Sequence, residues 1–416
     1  MEEGMTSLYR RTGLRALLAL CTALVPFIAA SADPPQPDTR AWLQREVVDV
    51  GYPGARVLLW HGDAVVRDET LGFADIAHAR PLSDDAIYRI YSMTKPVVSA
   101  AVLRLIGEGH GTLDDPVGKH LPELAGLKVM GVTGIGRAPA RALTIRHLLT
   151  HTTGFPVGDG KAARRRHEAR LEYSLDLAAY VQRLGKVPLE REPGTRFAYD
   201  SIATEVLGRL VEVWSGQPLP LYLHTTFFVP LGMVDTGFEV PAGQRDRIVE
   251  LSRIDDEGRL VLSDEPTARY PGTRPRPYFS AAGGLYSTAS DYLRFARMLL
   301  ARGRLDGHEF VPAALVDEMF RDQLAPMGLA VPYIDETPGR GFGLGLSVLL
   351  DPAAQGREGA AGQVGWTGAA STAFVIDPAT GSIGVLMLQH LPGSHPRELP
   401  RVARAFYNHL QQVIAP

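Results

Sequence analysis

A chain of 416 residues, 45% hydrophobic and 21% charged, holds enough apolar material for a large core, and its length corresponds to about two to three domains. Its 43 basic and 46 acidic side chains leave a formal net charge of -3, so no overall cationic field points to nucleic acid or another polyanion. Any function must be carried by local motifs.

At the amino terminus, Tyr9, Arg10, Arg11 and Arg15 precede an uncharged apolar run over 16–30, and Ala30-Ser31-Ala32 supplies the small residues of a cleavage site. The pattern predicts a signal peptide over 1–32, cut before Asp33, and a periplasmic or secreted bacterial protein. The run is shorter than the roughly 20 residues that span a bilayer, so no stable membrane span is expected after cleavage. Cys21, the one cysteine in the chain, lies inside the run. The mature protein is therefore expected to lack disulfides, thiolate nucleophiles and cysteine metal sites. A proline-rich spacer, 33–38, follows.

Residues 39–50 read as an amphipathic helix with Trp42, Val47 and Val50 among its apolar positions. The β-prone runs within 57–67 flank His61-Gly62-Asp63 and predict a hairpin. A second pair, 371–377 and 383–389, lies near the carboxyl end, a further strand is expected between Gly343 and Leu350, and 397–413 closes the chain as an amphipathic helix. An antiparallel sheet is thus expected from both ends of the chain, with terminal helices over one face.

The middle is helical. Helices are expected within 143–154, over 175–184, over 201–214 with Ile202, Val206, Leu207, Leu210 and Val213 on one side, and over 290–300 with Ser287 or Ser290 as the cap. The fold class is α/β (α+β): a discontinuous sheet domain from 33–110 and 280–416, with a mainly helical domain, 111–279, inserted. The basic run 161–170 has no interleaved aromatics and reads as a solvated loop or helix face, so no nucleic-acid partner is implied.

Ser92 and Lys95 stand as S-x-x-K at the head of the apolar run 97–107. Residues three apart share a helix face, so the amine reaches the hydroxyl. The positive end of the helix favours an oxyanion and disfavours a protonated amine, and a neutral amine beside a hydroxyl is a general base beside a nucleophile. Pro96 suits a first helical turn. No other serine in the chain has a lysine three residues later, and no G-x-S-x-G occurs.

Tyr199 precedes a helix that Ser201 or Asp200 can cap. A phenol beside a lysine can pass the serine proton to a leaving group, and Ser201 can donate to substrate. In G365-W-T-G368, the two glycines permit a ligand to approach a strand edge, and an edge-strand N–H near Ala369 can complete an oxyanion hole with that of Ser92. Trp366 offers an apolar wall. His147 and His151 lack the H-E-x-x-H context of a zinc site and read as structural, beside the cleft. No metal and no cofactor is implied.

Taken in order, Ser92/Lys95, Tyr199/Ser201 and Trp366/Gly368 resemble the S-x-x-K, Y-x-[NS] and W-x-G pattern of class C β-lactamase-like serine hydrolases, including the bacterial family VIII carboxylesterases. The stretches L113-D-D-P-V117, H147-L-L-T-H-T-T-G154, P230-L-G-M-V-D-T-G-F238 and F279-S-A-A-G-G-L-Y-S-T288 are similar to the same group, so the resemblance covers nearly the whole mature chain. It implies a class C β-lactamase/penicillin-binding-protein-like fold, Ser92 as acylated nucleophile, Lys95 as its base, Tyr199 as proton-transfer partner, and the N–H groups of Ser92 and Ala369 on the oxyanion.

β-Lactamases begin the third motif with lysine and usually end the second with asparagine, where this chain has Trp366 and Ser201. The missing cation turns the expectation from penicillins toward small neutral carboxylic esters. The alternatives are a β-lactamase, D-amino-acid peptidase or acyltransferase using the same acyl-enzyme, and a non-catalytic binding module that keeps the cleft.

Overall fold

The computed structural model describes residues 37–131, 136–158, 160–329 and 338–415. The signal peptide assigned to 1–32 and most of the proline-rich spacer lie outside them.

Seven antiparallel strands build the main sheet. They are β1 (Gly54–His61), β2 (Ala64–Gly72), β3 (Arg340–Phe342), β4 (Ser347–Leu349), β5 (Val364–Thr367), β6 (Ala373–Asp377) and β7 (Ser382–Met387), in the spatial order β3-β4-β5-β6-β7-β1-β2. The β1–β2 hairpin turns at Gly62-Asp63, both with positive φ, and β1 pairs with β7, closing the sheet from the two ends of the chain. Two strands of this sheet were not anticipated. The edge strand β3 has three residues, and β5 carries Trp366 itself.

Alternation along the strands divides the core. Leu58, Phe374, Ile376, Ile383 and Val385 face one cluster; Val57, Leu59, Ala373, Val375 and Leu386 face another. The second face is covered by the terminal helices α1 (Thr39–Leu43) and α7 (Ala403–Ile414), through Trp42, Phe406 and Leu410. The first α-helix is shorter than expected: its turns widen to a π-helix over Gln44–Val48.

The first face packs on α2 (Thr94–Gly107) and α6 (Ala289–Leu300), and the cluster continues into α3 (Ile145–Leu149), α4 (Leu177–Leu184) and α5 (Ile202–Ser215). Helix α2 is buried along almost its whole length, Val97 to Leu103 being fully covered, as its all-round apolar sequence demands. Two details differ from the sequence reading. Thr288, rather than a serine, caps α6, its hydroxyl accepting from the N–H of Asp291. On α5, Val213 is exposed, while Trp214 is buried and its Nε1 donates to His120 Nδ1 at 3.1 Å. The basic run forms a helix, Lys161–Ala169. Among the described residues, no helix is long and apolar enough to cross a membrane.

Candidate active site

The nucleophile candidate sits in a strained turn. A short ribbon pairs Tyr88–Arg89 with Tyr286–Ser287, and the chain then enters a 3-10 turn, Tyr91–Met93, that runs into α2. Tyr91 has a φ of 42°, a left-handed conformation that costs a non-glycine residue about 1–2 kcal/mol. Surrounding bonds hold it: Ile90 N–H donates to Leu285 O at 3.0 Å and Met93 N–H to Ile90 O at 3.0 Å. Ser92 therefore stands just ahead of the helix, with Lys95 and Pro96 inside its first turn.

Lys95 is 2% exposed, which excludes the outward-snorkelling lysine that an isolated S-x-x-K allows. Its Nζ lies 3.1 Å from Ser92 Oγ and donates to the carbonyl oxygen of Ala282 at 2.6 Å. It also lies 5.0 Å from the centroid of the Tyr199 ring. Serine, amine and phenol, 107 residues apart in sequence at the extremes (199 minus 92), thus meet in one place.

Tyr199 is held by its neighbours. Its oxygen accepts from Trp366 Nε1 at 3.4 Å, and its ring meets Trp366 at 5.1 Å and His151 at 4.8 Å between centroids. His151 is buried between Phe197, Phe342 and Tyr199. Burial lowers its pKa to about 3, so it is neutral behind the phenol. His147 reciprocates hydrogen bonds with Thr144 at the start of α3 and is lowered to about 4 by burial. Both histidines are structural, and neither lines the cavity that holds Ser92.

Of the two residues expected to cap α5, Asp200 does so. Asp200, buried, accepts from Ala203 N–H at 2.8 Å, while Ser201 is exposed, makes no side-chain cap and lines neither cavity described below. Burial raises Asp200 to about 6. One turn on, Glu205 is also buried and raised by burial to about 7. Its carboxylate accepts from Ser280 Oγ at 2.5 Å and Ala281 N–H at 2.8 Å. Sequence reasoning passed over Glu205, although its position three residues after Ile202 placed it on the apolar side of the helix.

The glycines of the third motif serve the protein rather than a ligand. A Cβ on Gly368 would meet Thr372 Oγ1 at 2.2 Å and the carbonyl oxygen of Ile90 at 2.5 Å; one on Gly365 would meet the carbonyl oxygen of Phe374 at 2.2 Å. Gly368 lets the end of β5 press directly on the turn that carries Ser92. Strand β5 is interior, between β4 and β6, but its ladder with β4 stops at Gly365. Ala369 follows in the β5–β6 turn and is exposed. It lines a cavity of about 520 Å³ together with Ser92, Tyr199, Trp366 and Gly368. A second cavity of about 410 Å³, lined by Phe155, Val157 and Phe197 among others, reaches Tyr199 from another side.

The Beta-lactamase family model matches residues 39–408. The chain belongs to the beta-lactamase family. Membership makes it a serine-hydrolase-type enzyme whose reaction passes through an acyl-enzyme. Among relatives of this beta-lactamase-family protein, Protein Rv1367c of Mycobacterium tuberculosis is 35% identical over 362 residues, covering 84% of this chain and 88% of the relative. Esterase EstB of Burkholderia gladioli is 34% identical over 346 residues, covering 79% and 83%. The fold is similar to that of unliganded Simvastatin Synthase (LovD) from Aspergillus terreus, with a TM-score of 0.72 at 23% identity over 90% of this chain and 96% of that one.

Proposed function

We propose that this enzyme cleaves small neutral carboxylic esters, with Ser92 as nucleophile, Lys95 as base and Tyr199 as proton carrier. The observation that carries the reading is the 3.1 Å approach of a buried lysine amine to a serine hydroxyl that opens on a cavity. In the first step the Lys95 amine takes the hydroxyl proton while Ser92 Oγ bonds to the ester carbonyl carbon. The oxyanion is held by the N–H groups of Ser92 and Ala369, and its collapse expels the alkoxide, which leaves as the alcohol after taking a proton by way of Tyr199. Water then adds to the acyl-enzyme carbonyl, gives its proton back through the same groups, and Ser92 departs with the acid released.

The choice of a neutral ester is supported by Trp366, an apolar ring at the place where the third motif of β-lactamases carries a cation, and by the esterase named among the relatives. Turnover of p-nitrophenyl acetate and butyrate tests it. Activity that disappears in Ser92→Ala supports the proposal; a wild-type protein no faster than that variant contradicts it. Nitrocefin, a D-Ala-D-Ala peptide and an alcohol acceptor separate the β-lactamase, peptidase and transferase readings. We place the reaction outside the cytoplasm on the strength of the signal-like pattern in 1–32, which amino-terminal sequencing of exported protein tests.

A further inference from the structure

Lys95 must do more than approach Ser92. A neutral amine has one lone pair, and it acts as a base only when that lone pair, rather than an N–H, faces the serine hydroxyl. The rotation of the amine is set by what accepts its N–H groups. The carbonyl oxygen of Ala282 accepts at 2.6 Å, so the placement of that peptide governs the aim of the base.

The Ala282 peptide is not held by regular secondary structure. It lies in a tight turn closed by Gly284 N–H donating to Ser280 O at 2.9 Å, so close that a Cβ on Gly284 would sit 2.7 Å from that oxygen. Downstream, Leu285 N–H donates to Thr94 Oγ1 at 3.2 Å. Upstream, the turn is fixed by one side chain from a different element. Glu205, 2% exposed on α5, accepts from Ser280 Oγ at 2.5 Å and from Ala281 N–H at 2.8 Å. A carboxyl group so deeply buried is costly to keep, and the hydrogen bonds it accepts come from the turn that ends in the Lys95 acceptor.

We propose that Glu205 is a positioning residue for the Lys95 base, acting through the Ser280–Ala282 turn. Its bonds go to Ser280 and Ala281, not to Ser92. The inference rests on the acyl-enzyme reading above, and its failure is separable from the failure of that reading.

The test uses the rate at which Ser92 takes a fluorophosphonate label, read by intact mass, beside kcat and KM for p-nitrophenyl butyrate and the thermal midpoint. Glu205→Gln keeps the shape and an acceptor for Ala281 but weakens the clamp. Labelling and kcat are expected to fall about tenfold, with KM within about twofold and labelling measured well below the midpoint. Ser280→Ala is expected to slow both about threefold, and the double variant to be no slower than Glu205→Gln alone, because the two act on one turn. Should Glu205→Gln give no soluble protein, Ser280→Ala carries the test by the same split. A wild-type chain that labels while both variants label equally fast overturns the inference alone, as does a loss confined to KM or losses that simply multiply. A wild-type chain that takes no label overturns the acyl-enzyme reading instead.

Discussion

Trp366 Nε1 donates to the phenol oxygen of Tyr199 across 3.4 Å, with the two ring planes inclined at 52°. An indole can aim a phenol in this way, whereas an ammonium at the same place would have to be buried against Phe342 and Tyr199 at a cost of several kcal/mol. Trp366→Phe keeps the apolar wall and removes the donor. Its kcat/KM for p-nitrophenyl butyrate is expected to fall about fivefold, the value of one modest hydrogen bond, without a large change in thermal midpoint. An unchanged rate would show that the indole is only a wall.

Tyr199→Phe removes the proton carrier and leaves the ring that packs against His151 and Trp366. The expected loss in kcat is about 10²–10⁴-fold with folding intact, checked by steady-state kinetics and circular dichroism. Combined with Lys95→Ala, the loss should fall far short of the product of the single losses, since the groups act as a unit.

Gly368→Ala tests the seam between strand β5 and the Ser92 turn. The new methyl would stand 2.5 Å from the carbonyl oxygen of Ile90, and backbone atoms yield little. A destabilisation of about 1–3 kcal/mol is expected by chemical denaturation, together with an activity loss larger than the stability loss explains, because the turn that shifts carries Ser92.

Acid should unfold the protein through its buried histidines. His147 and His409 are lowered to about 4 and His151 to about 3, each mainly by burial. Their folded pKa values lie below the unfolded value of about 6.5, so the unfolded state binds more protons and stability falls as pH drops from about 6.5 toward 4. Asp200 and Glu205, raised to about 6 and about 7, work in the opposite sense: the native state holds their protons, so their contribution falls as pH rises from about 4 through 7. His409 stacks on Trp42, remote from Ser92 in the terminal-helix layer. His409→Gln should therefore flatten the acid limb of the denaturation midpoint against pH, with esterase turnover at neutral pH preserved. An acid limb as steep as in wild type would contradict the assignment.

The parts of this site that were legible in the sequence are those whose partners lie on one short segment or on a strongly periodic one. Ser92 and Lys95 share a helical face three residues apart, and the apolar run behind them announces burial. The β1–β2 and β6–β7 hairpins were legible because long alternating runs flank turn residues. Strand β3 has only three residues and β5 four, too few for a period to show, so Trp366 was read as lying before a strand rather than on one. The cap of α5 could go to either of two adjacent polar residues, and only the packed structure puts Asp200 inward and Ser201 outward. The roles of Gly365 and Gly368 depend on backbone from distant segments, which no local pattern reports. Glu205 left a signal, a carboxylate on the apolar side of an amphipathic helix, whose partner at Ser280 is 75 residues away.

The most direct test of the central claim, that the Lys95 amine activates the Ser92 hydroxyl, is intact-mass measurement after exposure to a fluorophosphonate at neutral pH. The account predicts one adduct per wild-type chain, none on Ser92→Ala, and labelling slowed by orders of magnitude in Lys95→Ala. A label that persists in Ser92→Ala, or a Lys95→Ala protein that labels as fast as wild type, would contradict it.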